Sequence, residues 1–349
     1  MSVSQRILLA SAQEDFEFPL AEAARKQIFA RAEKLRDDRR EVEILIVTPD
    51  HSGRSIRRGI PVREVARRHL LRCRGYCRSF DSVHYLGTVG IIALVIALMT
   101  RSRPRTFTAT DGAVFSTGPR AGARRLLARY FHRFYDEFRT YTDHQRRLLL
   151  AVSPHYGSKL TAIRPILEEP ILPAVAGRAR SGILYIGHLS YFKGVDIVME
   201  VFRRLVGEMP HLTLTIAANG LSYEGHLESE VKALAAAYPG RVLLKGKVNV
   251  YDELTRAGLL MYPIRSHAGT FAVPLSLCES LACGAPFLSS RLDGLSEYFD
   301  DYFLCQPGNI ESFVDRARRL LSASSECRTR IQQNLQRIRE ACRDYEHCC

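Results

Sequence analysis

Two series of alternating strand and helix signals, separated by a proline-rich break, constrain this chain more than any other feature. The first series has strands at 6–12, 41–48, 82–86 and 105–109, with helical periodicity at 21–35, 86–100 and 121–141. Pro165, Pro170, Pro173 and Gly177 then mark 165–180 as a linker. The second series has strands at 182–186, 212–217, 241–245, 258–264, 285–290 and 302–304. Helices at 194–208 and 223–237 interleave with them, and two more at 310–321 and 326–345 close the chain. Strands regularly separated by helices form parallel sheets covered on both faces. A chain of 349 residues exceeds one ordinary core. Two α/β domains are therefore expected, 1–170 and 179–323, with 324–349 a terminal helix returning to the amino domain. Two segments read less regularly. The middle of the arginine-dense stretch 54–78, at 62–73, has helical spacing, and 148–152 reads as a strand reaching Ser153.

The longest apolar run, 86–100, is shorter than the roughly 20 residues that cross a bilayer, and reads as a buried helix. The first residues lack the pattern of a signal peptide. Nine cysteines, scattered and without a CxxC pair, read as reduced thiols of a cytoplasmic protein. Cys348 and Cys349 beside His347 match no prenylation box. Charge is unevenly placed. Residues 1–178 hold 31 Lys and Arg against 18 Asp and Glu, which is the whole net charge of +13. Arg125, Arg129 and Arg133 recur at i, i+4, i+8 on the helix 121–141, away from its apolar face of Leu127, Tyr130, Phe131, Phe134 and Phe138. Such a stripe suits an anionic membrane surface at the inner face of the membrane. Solubilising charge, ion pairs within the same half, or a grip on a phosphorylated soluble acceptor are the alternatives. No nucleic-acid module is recognised, so nucleic acid is not an expected partner.

Chemistry concentrates at 262–290. An apolar strand ends there, a loop with Gly269 and Thr270 follows, and Pro274 stands at a helix start with Gly284 past its end. Val273 cannot cap. The backbone N–H groups of Leu275, Ser276 and Leu277 are left facing outward, at the positive end of the helix dipole, where a phosphate is stabilised. Glu279 lies among leucines and needs a hydroxyl or cation as partner if it is buried; on a wet face it needs none. A second turn, 187–194, follows the first strand of the second series and carries Lys193 at another helix N-terminus. The dipole disfavours a cation there unless an anion lies between them. A solvated loop lysine is the alternative. Two anion-ready helix starts in one half point to a diphosphate.

Together these stretches resemble glycosyltransferase family 4, retaining enzymes of the GT-B fold. Gly187-His188-Leu189-Ser190…Lys193-Gly194 is similar to the family's Gly-Arg-Leu-Ser…Lys-Gly turn. Residues 279–286, ESLACGAP, are similar to the second half of its Glu-x7-Glu motif. Asp81-Ser82-Val83-His84 and Val152-Ser153 are similar to amino-domain strand ends. The resemblance is clearest from 182 to about 308. It implies an α/β GT-B fold, two Rossmann-like domains facing a cleft. It also implies transfer of a sugar from a nucleotide-sugar donor, with retention, to a hydroxyl of a saccharide, growing surface polysaccharide or lipid-linked acceptor. Donor contacts implied are His188, Lys193, Gly269, Thr270, Leu275, Ser276 and Glu279, with Lys193 on the diphosphate and Glu279 on the ribose. Thr110 and Asp111 fall on the acceptor side. No catalytic nucleophile is evident. The nucleotide-sugar is a substrate, no further cofactor is implied, and no Asp-x-Asp metal motif occurs. The chain departs from the family at three positions: histidine replaces arginine at His188, Phe271 stands at the first glutamate, and Thr110 at an amino-domain histidine. The Gly-Gly loop after the first strand is also missing from 11–20. These departures leave a second reading, a GT-B scaffold or partner subunit that binds nucleotide or glycan without transfer.

Overall fold

The computed structural model describes residues 5–12, 20–112, 114, 121–166, 180–218, 225–267, 270–322 and 325–343. The chain divides into two compact units, 1–166 with 267–273, and 167–266 with 274–349. In the first, β1 (Arg6–Ala12), β2 (Glu41–Thr48), β3 (Gly53–Arg57), β4 (Ile60–Ala66), β5 (Ser82–Gly87), β6 (Arg105–Ala109), β7 (Glu137–Thr140) and β8 (Leu160–Ala162) form one sheet. Its order is β3-β4-β2-β1-β5-β6-β7-β8, parallel except where β3 pairs with β4. The central strand buries side chains on both faces, so it reads as one apolar run and not as an alternation. On one face Ile7 and Leu9 join Ile28, Phe29 and Ala32 of the helix Leu20–Asp37. On the other, Leu8, Tyr85 and Phe107 join the segments that link β4 to β5, β5 to β6 and β6 to β7.

The second unit holds β9 (Ser181–Ile186), β10 (Leu214–Ala217), β11 (Val242–Lys245), β12 (Ala257–Tyr262), β13 (Phe287–Ser290) and β14 (Leu304–Cys305). The order β11-β10-β9-β12-β13-β14 is parallel throughout. Strand order reverses between β9 and β12. Ligands of open α/β sheets bind outside the carboxyl ends of the strands at that reversal.

Several elements differ from the sequence expectations. Residues 62–73 are not a helix: Arg58 and Gly59 both adopt positive φ, 54° and 73°, and turn β3 back onto β4. That is the geometry of a tight hairpin. A 3₁₀ segment, Arg67–Cys73, follows. Residues 148–152 are helical, within Asp143–Val152. Its start is a capping box in which Thr142 accepts from Gln145 N–H (3.1 Å) and the Gln145 side chain accepts from Thr142 N–H (3.3 Å). The helix Ala121–Phe131 stops short of Tyr141, because Phe131, Tyr135 and Phe138 turn inward to cluster around Phe107. Arg133 therefore lies beyond the helix that carries Arg125 and Arg129, although all three are exposed. The apolar helix, Ile91–Met99, buries only one side.

The last helix, Ser325–Arg343, belongs to the second unit and not to the amino domain as expected. Ile331, Asn334 and Ile338 are buried at helical spacing. Asn334 accepts from Asp300 N–H (2.6 Å) and donates to Tyr298 O (3.1 Å). Residues 267–273 lie within the first unit, outside the expected domain boundary. The described cysteines Cys73, Cys77, Cys278, Cys283, Cys305 and Cys327 are buried and form no disulfide with one another. Burial, with the neighbouring Cys73, pushes the Cys77 thiol up to about 12.

Candidate functional site

The turn after β9 stands at the reversal of the second sheet. Burial holds the Tyr185 phenol well above its usual range, so its hydroxyl is a donor; it reaches the carbonyl of half-buried His188 at 2.5 Å. Ser190 caps the short 3₁₀ segment Tyr191–Lys193 by accepting from Phe192 N–H at 3.1 Å. Gly194 then adopts φ 72°, and a Cβ there would lie 2.2 Å from the carbonyl oxygen of Pro263. Only glycine allows that approach. Lys193 is consequently turned inward and is 3% exposed, which removes the solvated-loop reading. Its Nζ donates to the Tyr262 hydroxyl at 2.7 Å and lies 5.1 Å from the ring centroid.

A clamp fixes this turn to the strand beside it. Arg265 makes a two-pronged pair with Asp196 (2.7 and 2.6 Å), donates to Tyr191 O (2.6 Å), and stacks on the Tyr191 ring at 3.7 Å. Its backbone N–H donates to Phe192 O at 2.9 Å. Two-pronged arginine–carboxylate bonds fix orientation as well as adding energy. Asp196, in the first turn of the helix Val195–Leu205, also complements the dipole. The residues sequence reasoning missed are Tyr262, Arg265 and Asp196. Pairings 69 positions apart leave no local signal, although the placement of Tyr262 at the end of an apolar strand was visible.

The helix Leu275–Ala282 begins one residue later than expected, with Pro274 as its cap and no side-chain cap bond. Leu277 N–H returns to Pro274 O at 3.1 Å, so Leu275 and Ser276 carry the outward N–H groups of this first turn. No acid occupies that turn. Glu279 is 9% exposed, among buried Leu275, Leu277, Ser280 and Leu281, and not on a wet face. Burial, followed by the Glu279 charge, raises the Cys283 thiol to about 11. Lys193, Tyr262, Leu275, Ser276 and Glu279 thus all belong to the second unit, on its two central connections. A cation and outward N–H groups are the donors that stabilise a phosphate, and a buried carboxylate accepts from hydroxyls.

Other predicted residues lie elsewhere. Gly269 is outside the described residues. Thr270 is in the first unit, where its carbonyl accepts from Gly112 N–H at 2.9 Å. Phe271 bridges Asp111, and its ring packs 4.9 Å from that of Tyr141. Ala272 N–H donates to Thr110 O at 3.0 Å. An aromatic side chain at 271 is explained by that burial. Thr110 and Asp111 are buried at the end of β6, where Gln145 Nε2 donates to Asp111 O at 2.8 Å. The Thr110 hydroxyl has no hydrogen-bond partner among the described residues.

With this geometry in place, the fold matches the GT-B class. Anabaena HepE in complex with UDP superposes with a TM-score of 0.75 over 99% of each chain, at 13% identity. Residues 180–323, which include every strand of the second sheet, match the family described as glycosyl transferases group 1. Among curated relatives, a glycogen synthase of Mycobacterium tuberculosis is 27% identical over 187 residues, 52% of this chain and 44% of that protein. An uncharacterized glycosyltransferase of Haemophilus influenzae is 30% identical over 137 residues, 38% of this chain and 37% of that protein. The chain thus matches less than half the length of these curated relatives.

Proposed function

We propose that this protein is a glycosyltransferase that moves a sugar, hexose-like and with retention at its anomeric carbon, from a nucleoside diphosphate to an acceptor hydroxyl. The observation that carries the reading is Lys193. A lysine only 3% exposed, at the strand reversal and one residue before the helix Val195–Leu205, whose N-cap Gly194 offers no side-chain cap, is costly unless the site serves an anion. Solved GT-B neighbours include HepE complexes with UDP and with UDP-glucose, which makes UDP the first nucleotide to test.

In the reaction the bond from the anomeric carbon to the diphosphate oxygen breaks. A new bond forms from that carbon to the acceptor oxygen, and the hydroxyl proton is released. Charge grows on the departing diphosphate. Lys193 Nζ and the N–H groups of Leu275 and Ser276 are fixed dipoles and a cation suited to that charge. His188 stands where the related enzymes carry arginine and adds a second, pH-dependent cation. Glu279 accepts from the ribose hydroxyls. The acceptor, a saccharide or a lipid-linked carrier, meets the first unit around Thr110 and Asp111. Retention rests on the resemblance to the retaining family.

A second reading, nucleotide binding without transfer, is favoured by one feature: Phe271, in place of a glutamate, is buried against Tyr141 and offers no polar contact to a sugar. The two readings separate in one experiment. The purified chain is incubated with a panel of UDP-, GDP- and ADP-sugars, and nucleotide release is followed with and without saccharide acceptors. Turnover with any pair, with the product anomer read by NMR, supports transfer. Calorimetric binding of a nucleotide with no turnover across the panel supports the scaffold.

A further inference from the structure

The amino unit carries a feature that donor binding does not use. Three consecutive connections, residues 67–78, Ile91–Met99 and Ala121–Phe131, lie on the same face of the first sheet. Their inner residues, Leu70 and Cys77, Ala93 and Ile96, Ala128 and Phe131, share one core. Cross-links hold them side by side: Arg78 Nε donates to Met99 O (2.9 Å), Arg103 Nη2 to Arg78 O (3.0 Å), and Tyr135 Oη to Ala93 O (2.7 Å). The opposite side of this layer faces away from the sheet.

That outer side is both apolar and basic. Leu71 is 70% exposed, Ile91 75%, Leu98 48%, Leu126 62% and Tyr130 47%. They are five of the six exposed large hydrophobic residues described in this unit, the sixth being Ile56. The helix between β5 and β6, IIALVIALM, has no polar side chain at all. Scattered exposed leucines need no explanation, but an apolar cluster gathered on one layer does. Residues 67–103 and 121–133 together contain eleven arginines, no lysine, and Asp81 as the one acid. Arg67, Arg68, Arg72, Arg74, Arg101, Arg125, Arg129 and Arg133 are exposed.

We propose that this layer is a docking face for an anionic lipid bilayer. Leu71, Ile91, Leu98, Leu126 and Tyr130 enter the headgroup boundary, and the surrounding arginines meet lipid phosphates. Charge complementarity selects this occupant. A nucleic acid would use the arginines and leave the aliphatic tips wet, whereas a helix lying in the interface uses both. The sequence-level candidate was the stripe Arg125, Arg129 and Arg133 within the arginine-rich stretches 54–78 and 120–133. The layer adds the apolar element, Ile91–Met99, that gives the surface a reason to insert. This inference goes beyond the proposed glycosyl transfer and does not depend on it.

The chain contains no tryptophan, so one placed at the surface is a clean reporter. Ile91→Trp should shift its emission to the blue when vesicles of 3:1 phosphatidylcholine and phosphatidylglycerol are added. Ile56→Trp, on the edge strand β3, should not. In flotation at low salt the full-length wild type should bind these vesicles at least tenfold better than pure phosphatidylcholine, and release with added salt. Ile91→Ser with Leu98→Ser, and separately Arg68→Glu with Arg72→Glu, Arg125→Glu and Arg129→Glu, should each lose binding at least tenfold. UDP affinity and the thermal melt, measured without lipid, should stay at wild-type values, which separates this test from the donor site. Equal binding to both vesicles, no binding to either, or no blue shift at Ile91→Trp overturns the proposal. So does RNA binding in the absence of vesicle binding, which would assign the face to nucleic acid. A dimer that disappears in the serine variant, without vesicle binding, would assign it to a second copy.

Discussion

Replacing Gly194 by alanine tests how tightly the turn that carries Lys193 is built. Two costs arise. The first is general: φ 72° places Cβ against its own backbone, at about 1–2 kcal/mol for an L-residue. The second is specific. The new Cβ would lie 2.2 Å from Pro263 O and 3.0 Å from Pro263 C, both rigid backbone atoms that no rotamer change can move aside. Overpacking that forces the backbone to shift adds about 1–3 kcal/mol. Gly240 is a matched control, since its φ is 75° but nothing lies within 4 Å of its added Cβ. Urea unfolding should therefore show Gly240→Ala losing about 1–2 kcal/mol, and Gly194→Ala roughly 2–5 kcal/mol. Displacing Gly194 also displaces Lys193, the residue before it. UDP affinity should fall at least tenfold in Gly194→Ala, which is about 1.4 kcal/mol, and not at all in Gly240→Ala. Equal stabilities for the two variants, with equal UDP affinity, would refute the reasoning.

Tyr262→Phe removes the hydroxyl that accepts from Lys193 Nζ at 2.7 Å, and should cost about 1–3 kcal/mol in urea unfolding. A change below about half a kcal/mol, within ordinary surface noise, would count against that bond. The affinity for UDP should fall as pH rises and His188 loses its charge. In His188→Arg the same titration should be flat, and parallel curves would remove His188 from the phosphate site. Burial, with the charges of Arg139, Arg31 and Arg40, lowers the His84 imidazole from 6.5 to about 3. Below pH 6.5 the unfolded chain binds a proton that the folded one refuses, so stability is present above that pH and is lost as pH falls toward 3. Between pH 6.5 and 5 this is at most about 2 kcal/mol at roughly 1.36 per unit. His84→Gln should flatten that limb in urea titrations, and an unchanged limb would assign it to other groups.

The sequence made the two parallel sheets legible because their strands are bounded by glycine, proline and long helical periods. Lys193 and Glu279 were legible as chemistry, since a cation at a helix start and a carboxylate among leucines each demand a partner. The burial of Lys193 was not, because it goes with Gly194 packing against Pro263, residues far apart in the chain. The hairpin at 53–66 escaped notice: Arg58, an unusual residue for a left-handed turn, hid it, while Val62 and Val65 mimicked helical spacing. The cap of the helix Asp143–Val152 was present as Thr142 with Gln145, a signal outweighed by the leucine run behind it. The aromatic residues after Phe131 continued a helical period, yet they pack on Phe107 and end the helix instead. In each case a distant contact overrode a local preference.

The central claim is that Lys193 and the helix start at Leu275 hold the diphosphate of a sugar donor. Isothermal calorimetry of UDP with wild type and Lys193→Ala measures it most directly. The account predicts saturable binding by the wild type and a loss of about 1.5–3 kcal/mol in the variant, the scale of a hydrogen bond to a charged group. Glu279→Gln should keep the diphosphate contribution and lose a smaller part. If Lys193→Ala retains its fold, by an unchanged far-ultraviolet spectrum, and binds UDP as tightly as the wild type, the claim is contradicted.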